Sequence, residues 1–145
     1  IEERMPAMIW RNAEGLDLVD ANGHRVARLT SRAARADLPL IAGDGATGAI
    51  AEARLLWAAA APLQGRVRGL VRMGNRRWDV MLDRNQRILL PADGALGALE
   101  WVIAQDATQQ LLSRDIADVD MRNPSRPTLR LSADALAELN RNRNH

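Results

Sequence analysis

The chain has 145 residues, enough for one domain with a sizeable core, and 47% of them are apolar. It contains no cysteine, which excludes disulfides and thiolate chemistry, and its only aromatic residues are four tryptophans. All 20 basic residues are arginines, but 18 acidic residues reduce the net charge to +2, so nucleic-acid binding is only weakly supported.

The first predicted elements are a strand and a hairpin. Residues 1–10 have the composition of a strand, and Pro6 favours a sheet edge because it cannot donate a ladder hydrogen bond. Residues 16–20 and 24–29 predict a hairpin around Asn22-Gly23, a dipeptide typical of tight turns. Because the chain begins with Ile1 and not with Met, we expect a fragment of a longer protein, with any targeting segment upstream.

The middle of the chain predicts one helix and a three-strand meander. After an irregular stretch at 30–37 and a short apolar run at 38–42, residues 49–63 show helical periodicity that ends at Pro62. The helical stripe consists of Ile50, Ala53, Leu56, Trp57 and Ala60. Turn dipeptides divide residues 67–90 into three strands, and Trp78, Val80 and Leu82 alternate with polar neighbours in the second.

The last third predicts a helix, two strands and a short final helix. Residues 94–104 form the second helix, which continues through Leu112 and has Leu96, Leu99, Val102 and Ile103 on one side. Residues 115–132 predict two strands divided by a turn, and Ser132 can cap a helix over 133–139, followed by a frayed tail at 141–145. We therefore predict an α+β fold, with two principal helices packed on a mainly antiparallel sheet and an open C-terminal edge strand.

The residues that catalysis requires are scarce. The histidines are His24, in the predicted hairpin, and His145, so a histidine-based triad is not expected. Asp115, Asp118 and Asp120 are interpreted as a solvated strand face and not as metal ligands. The glycines at 43–48 lack the lysine that ends a phosphate-binding loop, so a plain loop before a helix is expected. The sequence predicts no cofactor and no metal.

Four stretches, in order along the chain, resemble the FtsQ family of bacterial cell-division proteins. They are Glu3-Arg4-Met5-Pro6-Ala7-Met8-Ile9-Trp10 with Leu18-Val19-Asp20-Ala21-Asn22-Gly23, then Leu38-Pro39-Leu40-Ile41-Ala42-Gly43-Asp44-Gly45-Ala46, Arg76-Arg77-Trp78-Asp79-Val80-Met81-Leu82 and Val119-Asp120-Met121-Arg122. The resemblance implies that residues 1–10 are the last strand of a POTRA module and residues 11–145 the β domain. Met121 departs from the family pattern, which has leucine there, and Asn123 stands where some members have an aromatic residue.

The resemblance also implies a function. It predicts a non-enzymatic scaffold at the division septum, on the periplasmic face of the inner membrane, anchored by one upstream membrane helix. Its partners would be FtsB and FtsL, with no nucleic acid and no small-molecule substrate, and a segment of FtsB would add to the C-terminal edge strand. The residues expected to bind this partner are Arg76, Arg77, Arg122, Asn123, Ser125, Thr128, Leu129, Arg130 and Leu131.

Alternative interpretations of the same residues remain open. Arg76 and Arg77 could stack on bases, pair with carboxylates or form an ordinary solvated strand surface, and Leu129 and Leu131 could pack inward. The competing function is a basic domain that binds an anionic polymer such as nucleic acid or lipid headgroups; an uncatalogued hydrolase is a third. A scaffold predicts arginines clustered near a sheet edge, whereas a polymer-binding domain predicts arginines spread over one wide face.

Overall fold

The computed structural model describes residues 5–143, which form one nine-stranded sheet with three helices. The strands are β1 (Met8–Asn12), β2 (Gly15–Val19), β3 (Arg25–Leu29), β4 (Leu40–Gly43), β5 (Val67–Met73), β6 (Arg77–Leu82), β7 (Arg87–Leu89), β8 (Ile116–Asp120) and β9 (Thr128–Leu131). The helices are α1 (Ile50–Ala59), α2 (Ala95–Gln109) and α3 (Ala133–Arg143). The strand order is β3-β2-β1-β4-β5-β6-β7-β8-β9, so β3 and β9 form the two edges of the described sheet.

The sheet is mixed and mainly antiparallel, which confirms the predicted α+β class. Five strand pairings are antiparallel, and the three parallel ones join β1 to β4, β4 to β5 and β7 to β8. The short apolar run at 38–42 provides β4, which lies between β1 and β5 and connects the two hairpin systems. The predicted meander is the β5-β6-β7 unit, and Gly74 and Asn75 both adopt the positive φ of a tight turn between its first two strands.

The main core lies between one face of the sheet and the helices α1 and α2. Trp78, Val80 and Leu82 of β6 are buried in it, as their alternation predicts. The predicted stripe of α1 is confirmed at Ile50, Ala53 and Leu56. In α2 the small side chains of Ala95 and Ala98 take inward positions beside Leu99 and Val102. Leu96, which the sequence pattern places on the same side of this helix as Leu99 and Val102, is 38% exposed and does not share their buried face.

The predicted position of the first strand is wrong. β1 lies inside the sheet, antiparallel to β2 and parallel to β4, and Met8 and Ile9 are fully buried. Pro6 does not interfere with this pairing, because it precedes the strand. Residues 8–10 are therefore neither beyond the sheet nor at its edge, and residues 1–4 of the predicted strand lie outside the described residues. The assignment of residues 1–10 to a POTRA module stays a prediction.

The C-terminal helix is capped as predicted but is longer than predicted. Ser132 Oγ accepts a hydrogen bond from the backbone N–H of Ala135 at 3.0 Å, which satisfies one of the unpaired donors of the first turn. The helix extends to Arg143, so residues 141–143 are helical and not a frayed tail; Asn144 and His145 lie outside the described residues. Ser132 also donates to Asp115, which ties the start of α3 to the beginning of β8.

Candidate partner-binding site

The last four strands form a cleft on the sheet face opposite α1 and α2. This β9 cleft has a volume of about 490 Å³ and is lined by Arg77, Arg87, Leu89, Asp118, Asp120, Arg122, Thr128, Leu129 and Arg130. A neighbouring cavity of about 300 Å³, the Arg76 notch, is lined by Arg76, Arg77, Pro91, Ala92 and Arg122. The two cavities share Arg77 and Arg122, so together they form one continuous candidate site at the end of the sheet.

Six of the nine residues predicted to bind a partner come together in this site. They are Arg76, Arg77, Arg122, Thr128, Leu129 and Arg130. The other three do not line it. Asn123 and Ser125 lie in the β8–β9 turn, where Ser125 Oγ donates to Asn123 Oδ1 at 2.7 Å. Leu131 is 41% exposed, and its side chain lies on the opposite face of β9 from Arg130.

A row of alternating charges crosses the site from β6 to β9. Arg77 and Arg87 both contact Asp79, and Arg87 donates two hydrogen bonds to Asp118 at 3.0 and 3.1 Å. Arg130 donates to the same Asp118 carboxylate at 2.7 Å, which joins the edge strand to the interior of the sheet. Because Asp118 lies opposite both Arg87 and Arg130 in the strand register, one carboxylate bridges three strands.

The aspartates of this row were missed by sequence reasoning. Asp79 and Asp118 are 2% and 6% exposed, so the interpretation of Asp118 as part of a solvated face is wrong. When apolar and polar residues alternate along a strand, the polar ones are expected to face solvent. Here both faces of the sheet are covered, one by helices and the other by arginine side chains. The sequence signal for these ion pairs is an arginine and an aspartate two residues apart, a spacing that places both side chains on the same face of a strand. Arg77 pairs with Asp79 in this way, and Arg122, just beyond β8, pairs with Asp120.

Paired guanidinium groups keep the carboxylates of Asp118 and Asp120 ionised. Burial disfavours the charge on Asp118, but the hydrogen bonds from Arg87 and Arg130 outweigh it and leave the pKa of this carboxyl below its ordinary value. Hydrogen bonds from Arg122 likewise lower the pKa of Asp120. Five arginines and two aspartates line the two cavities, and the buried Asp79 beside Arg77 and Arg87 supplies a third carboxylate, so two positive charges remain after pairing. The site therefore favours an anionic ligand.

Strand β9 presents an edge and an apolar face beside these charges. It pairs with β8 on one side and ends the described sheet on the other. Leu129 and Leu131 are 47% and 41% exposed, so the alternative that they merely pack inward does not hold. The main core beneath α1 and α2 includes residues of β8 and of the strands before it but none of β9. The leucines of β9 therefore stay accessible. The edge of β9 thus combines unpaired backbone groups with a positive charge on one face of the strand and exposed leucines on the other.

We expect the Asp118 bridge to weaken in acid. Since the pKa of Asp118 is lowered in the folded state, its ion pairs stabilise the fold above the ordinary pKa of 3.8, and this contribution is lost as the pH falls through the lowered value. Replacing Asp118 by asparagine should reduce the free energy of unfolding near neutral pH by on the order of 1 kcal/mol, because Arg130 is largely exposed. Urea unfolding at several pH values measures both effects.

The matched control for this prediction is Asp93→Asn. Asp93 is exposed, precedes α2 and takes part in no ion pair or side-chain hydrogen bond among the described residues. Its replacement should leave the free energy of unfolding nearly unchanged at every pH. A difference between the parent and Asp118→Asn that stays constant from neutral to strongly acidic pH would contradict the assignment of the bridge.

An α+β domain whose sheet ends in an accessible, cationic edge strand is typical of domains that dock other proteins. A model of the family "Cell division protein FtsQ/DivIB, C-terminal" matches residues 8–122 of the chain, which is more than half of it. The chain belongs to this family of bacterial cell-division proteins.

Its similarity to individual relatives extends over nearly the whole chain. The cell division protein FtsQ of Ketogulonicigenium vulgare is 55% identical over 135 residues, covering 93% of this chain and 45% of that protein. The FtsQ of Paracoccus denitrificans is 53% identical over 135 residues, covering 93% and 40%, and that of Cereibacter sphaeroides is 50% identical over 143 residues, covering 99% and 46%. The chain thus spans less than half the length of these relatives.

Proposed function

We propose that this domain is a non-enzymatic scaffold of the division machinery that recruits FtsB, and with it FtsL, by adding a strand of FtsB to β9. The observation that carries the proposal is the accessible edge of β9, next to a site with two uncompensated positive charges. Family membership supports a role in cell division. The identity of the partner and the absence of catalysis belong to the proposal.

The backbone of β9 offers donors to an added strand. The N–H of Ser132 donates to Asp115 O at 3.2 Å, so it points towards β8. N–H groups alternate in direction along a strand of an antiparallel pair, so those of Leu129 and Leu131 point to the open edge. Four residues at ~3.3 Å each give a rail of about 13 Å, which is enough for a short added strand.

The charges beside the rail select the partner's chemistry. Arg76 is exposed, and no carboxylate contact is described for it, whereas Arg77, Arg87 and Arg130 already share Asp79 and Asp118. An acidic partner segment gains from the two uncompensated charges, and a basic one is repelled. We therefore propose that the FtsB segment carries carboxylates that reach the Arg76 notch and Arg122.

The competing function, binding of an anionic polymer, is less well supported. Five arginines gather at the β9 end of the sheet, as a scaffold predicts, and most of them are neutralised by aspartates of the same face. A polymer-binding surface needs many uncompensated charges, since its affinity grows with the number of anionic groups that it neutralises.

The proposed location follows from the family and not from a segment of this chain. No helix of the described residues is long and apolar enough to cross a membrane. We propose that the domain lies on the periplasmic face of the inner membrane at the septum, and that an upstream segment of the full-length protein anchors it. We also propose that the residues up to Trp10 continue from a POTRA module, although β1 itself belongs to the present sheet.

The charge requirement predicts the effect of reversing two arginines. The double variant Arg76→Glu/Arg122→Glu should bind the periplasmic part of FtsB from the same organism at least about tenfold more weakly. Isothermal titration calorimetry at low ionic strength measures the change. Arg54→Glu is the matched control, because Arg54 is exposed on α1, on the other face of the sheet. Equal affinities of the double variant and the parent would show that the site does not select an acidic partner.

A further inference from the structure

A second, larger groove lies away from the β9 cleft, on the side of the central strands opposite α1 and α2. This central groove has a volume of about 590 Å³, and its lining includes Arg11, Arg32, Leu40, Ala42, Arg68, Gly69, Val71 and Met81. It shares no lining residue with the β9 cleft or the Arg76 notch.

Small residues create the depression. Ala42 of β4 and Gly69 of β5 occupy the middle of the sheet, where neighbouring side chains alternate between its two faces. A Cβ atom at Gly69 would lie 3.1 Å from the carbonyl oxygen of Leu40, so a larger residue there would press on β4 and fill the groove. Val71 and Met81 are only partly buried and give the floor an apolar surface.

The groove gathers arginines without carboxylates. Its lining contains Arg11, Arg32 and Arg68 and, among the described residues, no aspartate or glutamate. The hydrogen bonds described for Arg32 and Arg68 go to carbonyl oxygens, those of Arg35 at 2.8 Å and Gly65 at 3.4 Å. This is the reverse of the β9 cleft, in which aspartates neutralise most of the arginines.

The arginines Arg11 and Arg32 also repel each other. Burial lowers the pKa of Arg32, the attraction of Asp37 opposes this, and the charge of Arg11 lowers the pKa further. Asp37 itself forms two hydrogen bonds, both 3.1 Å, with Arg35. A carboxylate placed near Arg11 and Arg32 would offset the repulsion between their charges, since Asp37 attracts Arg32 but is already paired with Arg35.

We infer that the central groove is a second docking site, which takes an acidic segment of another protein. Carboxylates of that segment pair with Arg11, Arg32 and Arg68, and an apolar side chain covers Ala42 and Gly69. A single-stranded nucleic acid fits less well, because the lining has no aromatic residue on which bases could stack. A membrane surface fits less well, because the arginines border a depression and do not project from a convex face. The site is independent of the strand addition proposed at β9.

The test is a peptide titration of the ¹⁵N-labelled 145-residue chain followed by NMR. The probe is a blocked peptide in which two leucines are flanked on each side by two glutamates, and the comparison peptide carries glutamines in their place. The acidic peptide should shift the amide signals of Gly69, Val71 and Met81. Arg11→Glu/Arg32→Glu should weaken its binding at least about tenfold, while Arg54→Glu should leave it unchanged.

Three results would overturn the inference. The first is equal binding of the glutamine peptide, and the second is a set of shifted signals confined to β9. The third is that the protein sediments with phosphatidylglycerol vesicles in a way that requires Arg11, while the acidic peptide does not bind. This result would assign the groove to lipid. If the double variant does not fold, as far-ultraviolet circular dichroism would show, Arg68→Glu replaces it, because Arg68 is exposed and lies on a different strand from Arg11.

Discussion

Replacing Leu129 by proline should abolish binding of FtsB and leave the domain folded. Proline has no backbone N–H, and the N–H of Leu129 points to the open edge of β9, where the added strand would accept it. The pairing of β9 with β8 does not use this donor, so the sheet should persist. A binding assay of Leu129→Pro with the periplasmic part of FtsB, together with its circular dichroism spectrum, measures both outcomes.

Two variants separate the backbone effect from others. Leu129→Ala removes most of the exposed side chain but keeps the N–H, so it should retain much of the affinity. Arg130→Pro removes a donor that faces β8, together with the hydrogen bond from Arg130 to Asp118, so it should loosen β9 from the sheet as well as weaken binding. If Leu129→Pro stays folded and binds as tightly as the parent, FtsB does not add a strand at this edge.

The elements that the sequence predicted best are those with a local periodic signal. The stripe that begins at Ile50, the alternation of Trp78, Val80 and Leu82, and the cap at Ser132 each depend on residues within a few positions of one another. Turn dipeptides were informative where the backbone needs a positive φ, as at Gly74 and Asn75. In the first hairpin Gly23 has a positive φ but Asn22 does not, and Asp20 supports the longer loop by accepting from the N–H groups of Asn22 and His24.

The order of strands could not be read from local signals. β4 has four residues and pairs in parallel with β1 and β5, each more than 20 positions away along the chain. Its position in turn places β1 in the interior, which is why Pro6 and the first strand were assigned wrongly to an edge. Parallel neighbours are brought together by tertiary packing, and a four-residue apolar run carries no information about which strands will flank it.

The candidate site was predicted in part for a similar reason. Its arginines and its receiving strand were identified through the family resemblance, and six of the nine residues line one site. The buried aspartates were missed because a carboxylate in a strand resembles a solvent-facing residue until the arginines across the sheet are known. Asp118 bonds with Arg87, 31 positions earlier, and with Arg130, 12 positions later. No rule of sequence spacing connects these three residues. They come together because the strand register places Asp118 opposite both arginines.

Truncating Trp78 should lower the free energy of unfolding more than truncating any other buried side chain. Its side chain is fully buried in the main core, and the Arg72 guanidinium lies 5.3 Å from the centre of its ring. Trp78→Ala should lower the free energy of unfolding by about 3–5 kcal/mol, because it removes the largest buried side chain and leaves a cavity. Urea unfolding followed by circular dichroism measures this loss, and a decrease below about 1 kcal/mol would mean that the sheet and helices do not close over this position.

The replacement Trp78→Phe separates the volume of this side chain from its polar atom. Trp78 Nε1 is buried and has no hydrogen-bond partner among the described residues. Burying this unpaired N–H lowers the free energy of unfolding by about 1–3 kcal/mol. Phenylalanine removes that N–H together with part of the ring, and the two effects oppose each other. We therefore expect Trp78→Phe to lower the free energy of unfolding by less than about 1.5 kcal/mol, well below the loss for Trp78→Ala. A loss as large as that of the alanine variant would show that the indole N–H has a partner and contributes to the stability of the core.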